Sequence, residues 1–234
     1  MTIIITHFSR KGFTMPGNRN FSTSSSLSMT PPTLAYITWL KSHTVGGNPT
    51  RECDYSKILA LALPEYFTLG NDWCVAPEWT LDENITPDYL VSRIETNSNL
   101  PSYGGSYNHL VVEVKDHVAV SWWKLLETQA WSQCDLAKNS ASGRIYFVGQ
   151  IGYEICFFFF DVRRFPSHSD NYTNFFPMNL RSFTTEDLDY LNIKYLTEVT
   201  LNNLDIRVIK WRWDDPAQHI YINEMFNYIL NNTV

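Results

Sequence analysis

Cysteine is scarce in this chain, and its few cysteines do not pair by spacing. Cys53, Cys74, Cys134 and Cys156 are scattered over 234 residues. No two have the C-x₂-C spacing of a zinc site, and four isolated thiols do not staple a chain of this length. They are expected to be buried free thiols in a reducing compartment. The six histidines show neither H-x₃-H nor H-E-x-x-H spacing, which argues against a histidine metal site. Long apolar runs are missing as well: Ile155 to Phe160 is a strand's length, whereas a bilayer span needs roughly 18–20 apolar residues. No membrane partner and a soluble, intracellular protein are therefore expected. Net positive charge is the remaining absence. At a formal charge of -6, the chain has no broad basic face to grip nucleic acid by charge alone. A nuclease is not excluded, because bound divalent cations offset the acidic residues of such a site.

Acidic residues are themselves absent from the first fifty-one positions, which carry Arg10, Lys11, Arg19, Lys41 and Arg51. The stretch from Asn18 to Thr33 is rich in Ser and Thr and holds Pro31 and Pro32, the composition of a linker or flexible tail. This start also fits a mitochondrial presequence. A tail over 1–33 is the preferred reading, with nucleus or cytoplasm as the compartment. What remains is long enough, and aromatic enough at 15%, to bury one sizeable core. A core over 34–165 and a C-terminal extension over 166–234, packed on the same domain, are expected.

Local signals give the order of elements. Asp54 can cap a helix through Leu63, with Pro64 ending or kinking it. Strand-like segments follow at Trp73 to Leu81, Pro87 to Ile94 and His109 to Asp116. A helix from about Ser121 to Lys138 comes next, then strands over Arg144 to Gln150 and Tyr153 to Asp161, joined at Gly152. Ser182 to Asn192 reads as partly helical, Arg207 to Trp213 as a strand, and Asp214-Asp215-Pro216 as the start of a terminal helix. This is a mixed α/β pattern, a small sheet flanked by helices.

The chemistry concentrates in Leu110-Val111-Val112-Glu113-Val114-Lys115. Strand side chains alternate, so Glu113 and Lys115 share one face while Val112 and Val114 share the other. Taken alone, Glu-x-Lys is common on solvated strand faces. Here a second acid, Asp88 after Pro87, opens a neighbouring apolar strand. Two adjacent strands can bring Asp88 and Glu113 close enough to share a hard cation, Mg²⁺ or Mn²⁺, with the Val114 carbonyl and waters completing the shell. Lys115 then projects beside it, where it can hold or activate a water and offset charge on a phosphate. On the following helix, Gln129 and Gln133 fall one turn apart within the apolar arc, where buried amides need partners that an adjacent polar site supplies.

Pro87-Asp88, Glu113-Val114-Lys115 and a helix bearing Gln129 and Gln133 resemble the signature of the PD-(D/E)XK, or restriction-endonuclease-like, nuclease superfamily. The resemblance covers roughly Asp54 to Asp161, and the order helix, three strands, helix, strand matches that family's core. It implies a metal-dependent nuclease hydrolysing phosphodiester bonds, of DNA by preference, with Asp88 and Glu113 as metal ligands and Lys115 as the catalytic lysine. It also implies a supporting glutamine, Gln129 or Gln133, and a glutamate on the first core helix. Glu65 is the nearest match for that glutamate, with Glu78 and Glu83 as alternatives. The competing reading is a nuclease-like module without catalysis that binds nucleic acid or a protein partner. A glycosidase, using the carboxylates and tryptophans, leaves Lys115 and the glutamines without a role. Trp131, Arg212, Arg163 and Arg164 are candidates for nucleic-acid contact, and Phe157 to Phe160 read as a strand buried on both faces.

Overall fold

The computed structural model describes residues 29–45, 51–94, 106–116, 125, 129–140, 142–164, 175–178, 196–201 and 204–232. Its first element was not expected from the sequence. Pro31 and Pro32 open a helix, α1 (Pro31–Val45), rather than closing a linker. Proline at a first helical position has no N–H to lose and a φ already set for the helix. Thr33, Ile37 and Leu40 are buried along one stripe, and Met29 ahead of the helix is buried too. Residues 29–33, expected to belong to a tail, therefore pack with the core, and 1–28 lie outside the described residues.

The next helix, α2 (Glu52–Tyr66), is capped at Arg51, three residues ahead of the expected cap Asp54. Asp54 sits inside the first turn, and its carboxylate accepts the Arg51 N–H at 3.1 Å. Pro64 does not end the helix, which continues to Tyr66. Its ring faces the Ala60 carbonyl on the exposed side, where a carbonyl can tilt into water. Tyr55, Ile58, Leu59, Ala62, Leu63 and Tyr66 recur at helical spacing and are buried.

Strands β1 (Trp73–Pro77), β2 (Tyr89–Ile94) and β3 (Ser106–Lys115) form an antiparallel meander. β3 then pairs in parallel with β4 (Arg144–Ile151), a geometry that requires a crossover. The crossover carries α3 (Trp131–Ala137); of the helix expected over 121–138, the stretches 121–124 and 126–128 lie outside the described residues. β5 (Glu154–Asp161) returns antiparallel through the turn at Gly152, whose φ of 58° suits glycine. Two pieces of the C-terminal region add to the same edge of β5. β6 (Phe175–Pro177) pairs at its far end, and β9 (Trp211–Arg212) at its start. The expected strand over 207–213 is thus split at Lys210. Its first part belongs to β8 (Leu204–Ile209), which forms a separate hairpin with β7 (Leu196–Leu201). The chain ends in α4 (His219–Asn231). The helix expected over 182–192 lies outside the described residues.

Side-chain alternation sorts the core into two layers. Leu110, Val112, Val114, Phe157 and Phe159 pack on the face covered by α1, α2 and α4, with Trp211, Trp213 and Phe226. Val111, Phe147, Phe158 and Phe160 pack on the other face with Cys134 and Ala137 of α3. The result is an α/β arrangement with a mixed sheet and helices on both faces. All four cysteines are free; Cys134 and Cys156 are buried as expected, Cys74 is half-buried, and Cys53 is exposed. Among the described residues, no helix is long and apolar enough to cross a membrane.

Candidate active site

Asp88 lies just ahead of β2, and the register places Tyr89 across from Val112. One step back along both strands sets Asp88 opposite Glu113, and opposed residues of an antiparallel pair share a face. The next pair, Leu90 and Val111, belongs to the core layer under α3, so Asp88 and Glu113 face α3 as well. Lys115 follows by strand alternation. The site therefore sits where β2 begins and β3 ends, between the first turn of α2 and the inner side of α3.

Four side chains surround Glu113, which is 3% exposed. Lys115 Nζ is 2.6 Å from its Oε1. Gln133 Nε2 donates to its Oε2 at 2.7 Å. Asp88 lies beside it, its Oδ2 accepting the Val114 N–H at 2.6 Å. Glu52, the first residue of α2, completes the group with Oε1 3.4 Å from Lys115 Nζ. Within a strand, a residue's N–H and C=O leave on the same side, so the Val114 carbonyl also opens toward Asp88.

Burial and then the charge of Glu113 push the Asp88 carboxyl up to about 7, against the opposing hydrogen bond from Val114. Burial works against the charge on Lys115, but its hydrogen bond to Glu113 and the charges of Glu113, Asp88 and Glu52 outweigh that and hold its pKa above the ordinary value. Lys115 is therefore an ammonium at neutral pH. One polar atom of the cluster is left over: Gln133 Oε1 is buried and has no hydrogen-bond partner.

Asp88, Glu113, Lys115 and Gln133 are thus brought together, with the Val114 backbone among them. Gln129 is not, because it is exposed at the start of the helical segment while Gln133, one turn on, points inward. Glu65 is not at the site either. It lies thirteen residues along α2 from Glu52, about 20 Å of helix, and it ties down the start of α1. There it accepts Thr33 Oγ1 at 2.8 Å, the Thr30 N–H at 3.2 Å and a close bond from the Thr30 hydroxyl. The helix glutamate at the site is Glu52, which sequence reasoning missed by starting the helix at Asp54. An acid in the first turn, where the helix dipole favours negative charge, was the available signal. Glu78 and Glu83 are exposed in the connection between β1 and β2. Of the contact candidates, Trp131 is half-buried against the α3 layer, Arg212 is paired with Asp214 and Glu154, and Arg163 is paired with Asp161.

Among the described residues, no group of three or more His, Cys, Asp or Glu side chains forms a ready-made metal cage. The donors present still fit Mg²⁺ or Mn²⁺. Such ions bind through one or two carboxylates and keep several waters, and Asp88 and Glu113 are hard oxygen donors on facing strand positions. The Asp88 carboxyl is raised first by burial and then by the charge of Glu113. No family model matches the chain, and no curated protein or solved structure does either.

Proposed function

We propose that this chain is a metal-dependent nuclease of restriction-endonuclease-like fold, hydrolysing phosphodiester bonds, of DNA by preference. The observation that supports it best is the gathering of Asp88, Glu113, Lys115, Gln133 and Glu52 at one end of the sheet from four separate elements. The order α2, three antiparallel strands, α3 and a parallel fourth strand agrees with the expected core. Asp88, Glu113 and the Val114 carbonyl would hold the ion, which when bound supplies Lewis-acid activation of water and charge neutralisation at the phosphate. Lys115, cationic and anchored between two carboxylates, places its N–H donors where an attacking water or a phosphate oxygen can accept them. Gln133 fixes the plane of the Glu113 carboxylate, and Glu52 draws the Lys115 ammonium toward α2.

One observation favours a second reading, a non-catalytic module that binds nucleic acid or a protein. The 2.6 Å pair between Lys115 and Glu113 occupies an oxygen that a metal would use. Cleavage of plasmid DNA, single-stranded DNA and RNA with Mg²⁺, Mn²⁺ or EDTA separates the two, comparing wild type with Lys115→Ala. Metal-dependent cutting lost in the variant supports the nuclease; no cutting by folded wild type on any substrate moves the assignment to the module.

A further inference from the structure

One more polar side chain is buried at this end of the sheet. Gln150, near the end of β4, is fully buried on the α2 face, beside Val114 in the parallel register. Its side-chain amide is used at both ends. Nε2 donates to the Tyr55 carbonyl at 3.1 Å and the Gly152 carbonyl at 2.9 Å. Oε1 accepts the indole N–H of Trp213 at 3.1 Å. Each partner leads somewhere specific. Tyr55 is one turn of α2 beyond Glu52. Gly152 N–H donates to the Lys115 carbonyl at 2.9 Å. Trp213 follows β9 and donates its own N–H to the Tyr153 carbonyl at 3.0 Å, while the next residue, Asp214, accepts Lys41 of α1.

Removing this amide alone would leave the buried Trp213 indole N–H and the Gly152 carbonyl short of a partner, so it costs stability as well as geometry. Its specific effect is geometric: three carbonyl and indole partners are held at fixed separations. We propose that Gln150 is a positioning residue, locking the α2 turn that carries Glu52 and the turn that holds Lys115, with the C-terminal Trp213 as the anchor. Residues 211–214 are then part of the working site although none of them touches its carboxylates. The proposal rests on the nuclease reading for its kinetic consequence and on the hydrogen bonds alone for its structural one.

The experiment uses the full chain with Gln150→Met, which conserves volume and removes all three bonds, Trp213→Phe, which removes one donor, and Phe67→Leu, packed on Trp73 at the other end of α2, as a core control. Hydrogen–deuterium exchange is followed alongside steady-state cleavage with Mg²⁺, below each variant's melting temperature. In Gln150→Met, exchange should accelerate in peptides over 51–57 and 113–116 and at Gly152, and stay unchanged over 58–66 and 222–229. kcat should fall by roughly ten- to hundredfold, with KM within about twofold. Trp213→Phe should show the same pattern more weakly, and Phe67→Leu should keep kcat. Unchanged exchange at Lys115 and Glu52 in Gln150→Met overturns the proposal, as does an equal kcat loss in Phe67→Leu. If wild type cleaves nothing, the nuclease reading falls by itself, and the exchange pattern still decides whether Gln150 holds the two residues.

Discussion

Replacing Asp88 with asparagine removes a charge that the folded protein holds at a cost, and the size of that cost follows from its surroundings. The carboxyl is pushed to about 7 in the folded chain by burial and by Glu113, from an ordinary 3.8. A group whose folded pKa is raised stabilises the fold at low pH, where it is protonated, and that contribution is lost as pH rises through the folded value. Between pH 6 and pH 8 the loss works out at about 1.4 kcal/mol for this one group. Asparagine cannot lose a proton, and its Oδ1 can still accept the Val114 N–H. In EDTA, Asp88→Asn should therefore be more stable than wild type at pH 8, with the gap narrowing by about 1.4 kcal/mol at pH 6, or roughly 3–5 °C in melting temperature for a chain of this size. Urea or thermal denaturation at the two pH values measures it. A gap that does not change with pH would refute the reasoning, since it would mean that Asp88 ionises normally in the folded state. Added Mg²⁺ should reverse the order. Protons compete with the ion for Asp88, so wild type should gain more at pH 8 than at pH 6, and the variant should gain little at either.

Gln133→Met should leave stability within about 1 kcal/mol, because losing the bond to Glu113 is offset by removing the unpartnered Oε1; cleavage should nevertheless fall, and retained activity would remove Gln133 from the site. Glu52→Gln should cost at most about 1 kcal/mol, as expected of a partly exposed ion pair, yet lower activity, whereas Glu65→Gln should lower the melting temperature by loosening α1 and keep kcat. Denaturation and cleavage assays on the pair decide between the two glutamates. His109 is fully buried, with Nε2 at 2.7 Å from the Ile229 carbonyl and Nδ1 unpartnered, and burial lowers its pKa to about 4. Its neutral form therefore contributes stability that is complete above the unfolded value of 6.5 and lost as pH falls toward 4, on the order of 3 kcal/mol in all. His109→Phe should flatten that part of the acid-stability curve; an unchanged curve in the variant would show that another group controls it.

The legible part of the site was the part written in strand alternation. Glu113 and Lys115 had to share a face, Val112 and Val114 had to take the other, and one antiparallel step linked Asp88 to Glu113. Gln133 was legible because an amide inside an apolar arc demands a partner. The glutamate on α2 was misplaced because helix starts are set by local caps that differ by a residue or two, and Asp54 is as plausible a cap as Arg51 from the sequence alone. α1 was missed for a related reason: two prolines read as a break in mid-chain but can equally occupy the first positions of a helix. The split of 207–213 between two sheets depends on partners distant in sequence, Glu154 and Ile155 for Trp211 and Arg212, which no local pattern carries.

The choice between a working and a relict site turns on Asp88 rather than on Lys115. Glu113 is satisfied on both oxygens, by the Lys115 ammonium on one and the Gln133 amide on the other. A protein that needed only this buried pair for its fold would gain nothing from a further carboxyl alongside it. Asp88 makes one hydrogen bond that asparagine could make equally well, and its charge works against Glu113. Protonation of Asp88 or a bound cation relieves that repulsion, and Lys115 is already shared between Glu113 and Glu52. A divalent cation would also supply charge there, and the proposed nuclease is the reading that uses it. The two readings separate on a single variant. If Asp88→Asn stabilises the metal-free protein and abolishes both the Mg²⁺-induced stabilisation and cleavage, the charge is held for catalysis. If it stabilises the protein and changes nothing else, Asp88 is a relict and the site does not use a metal.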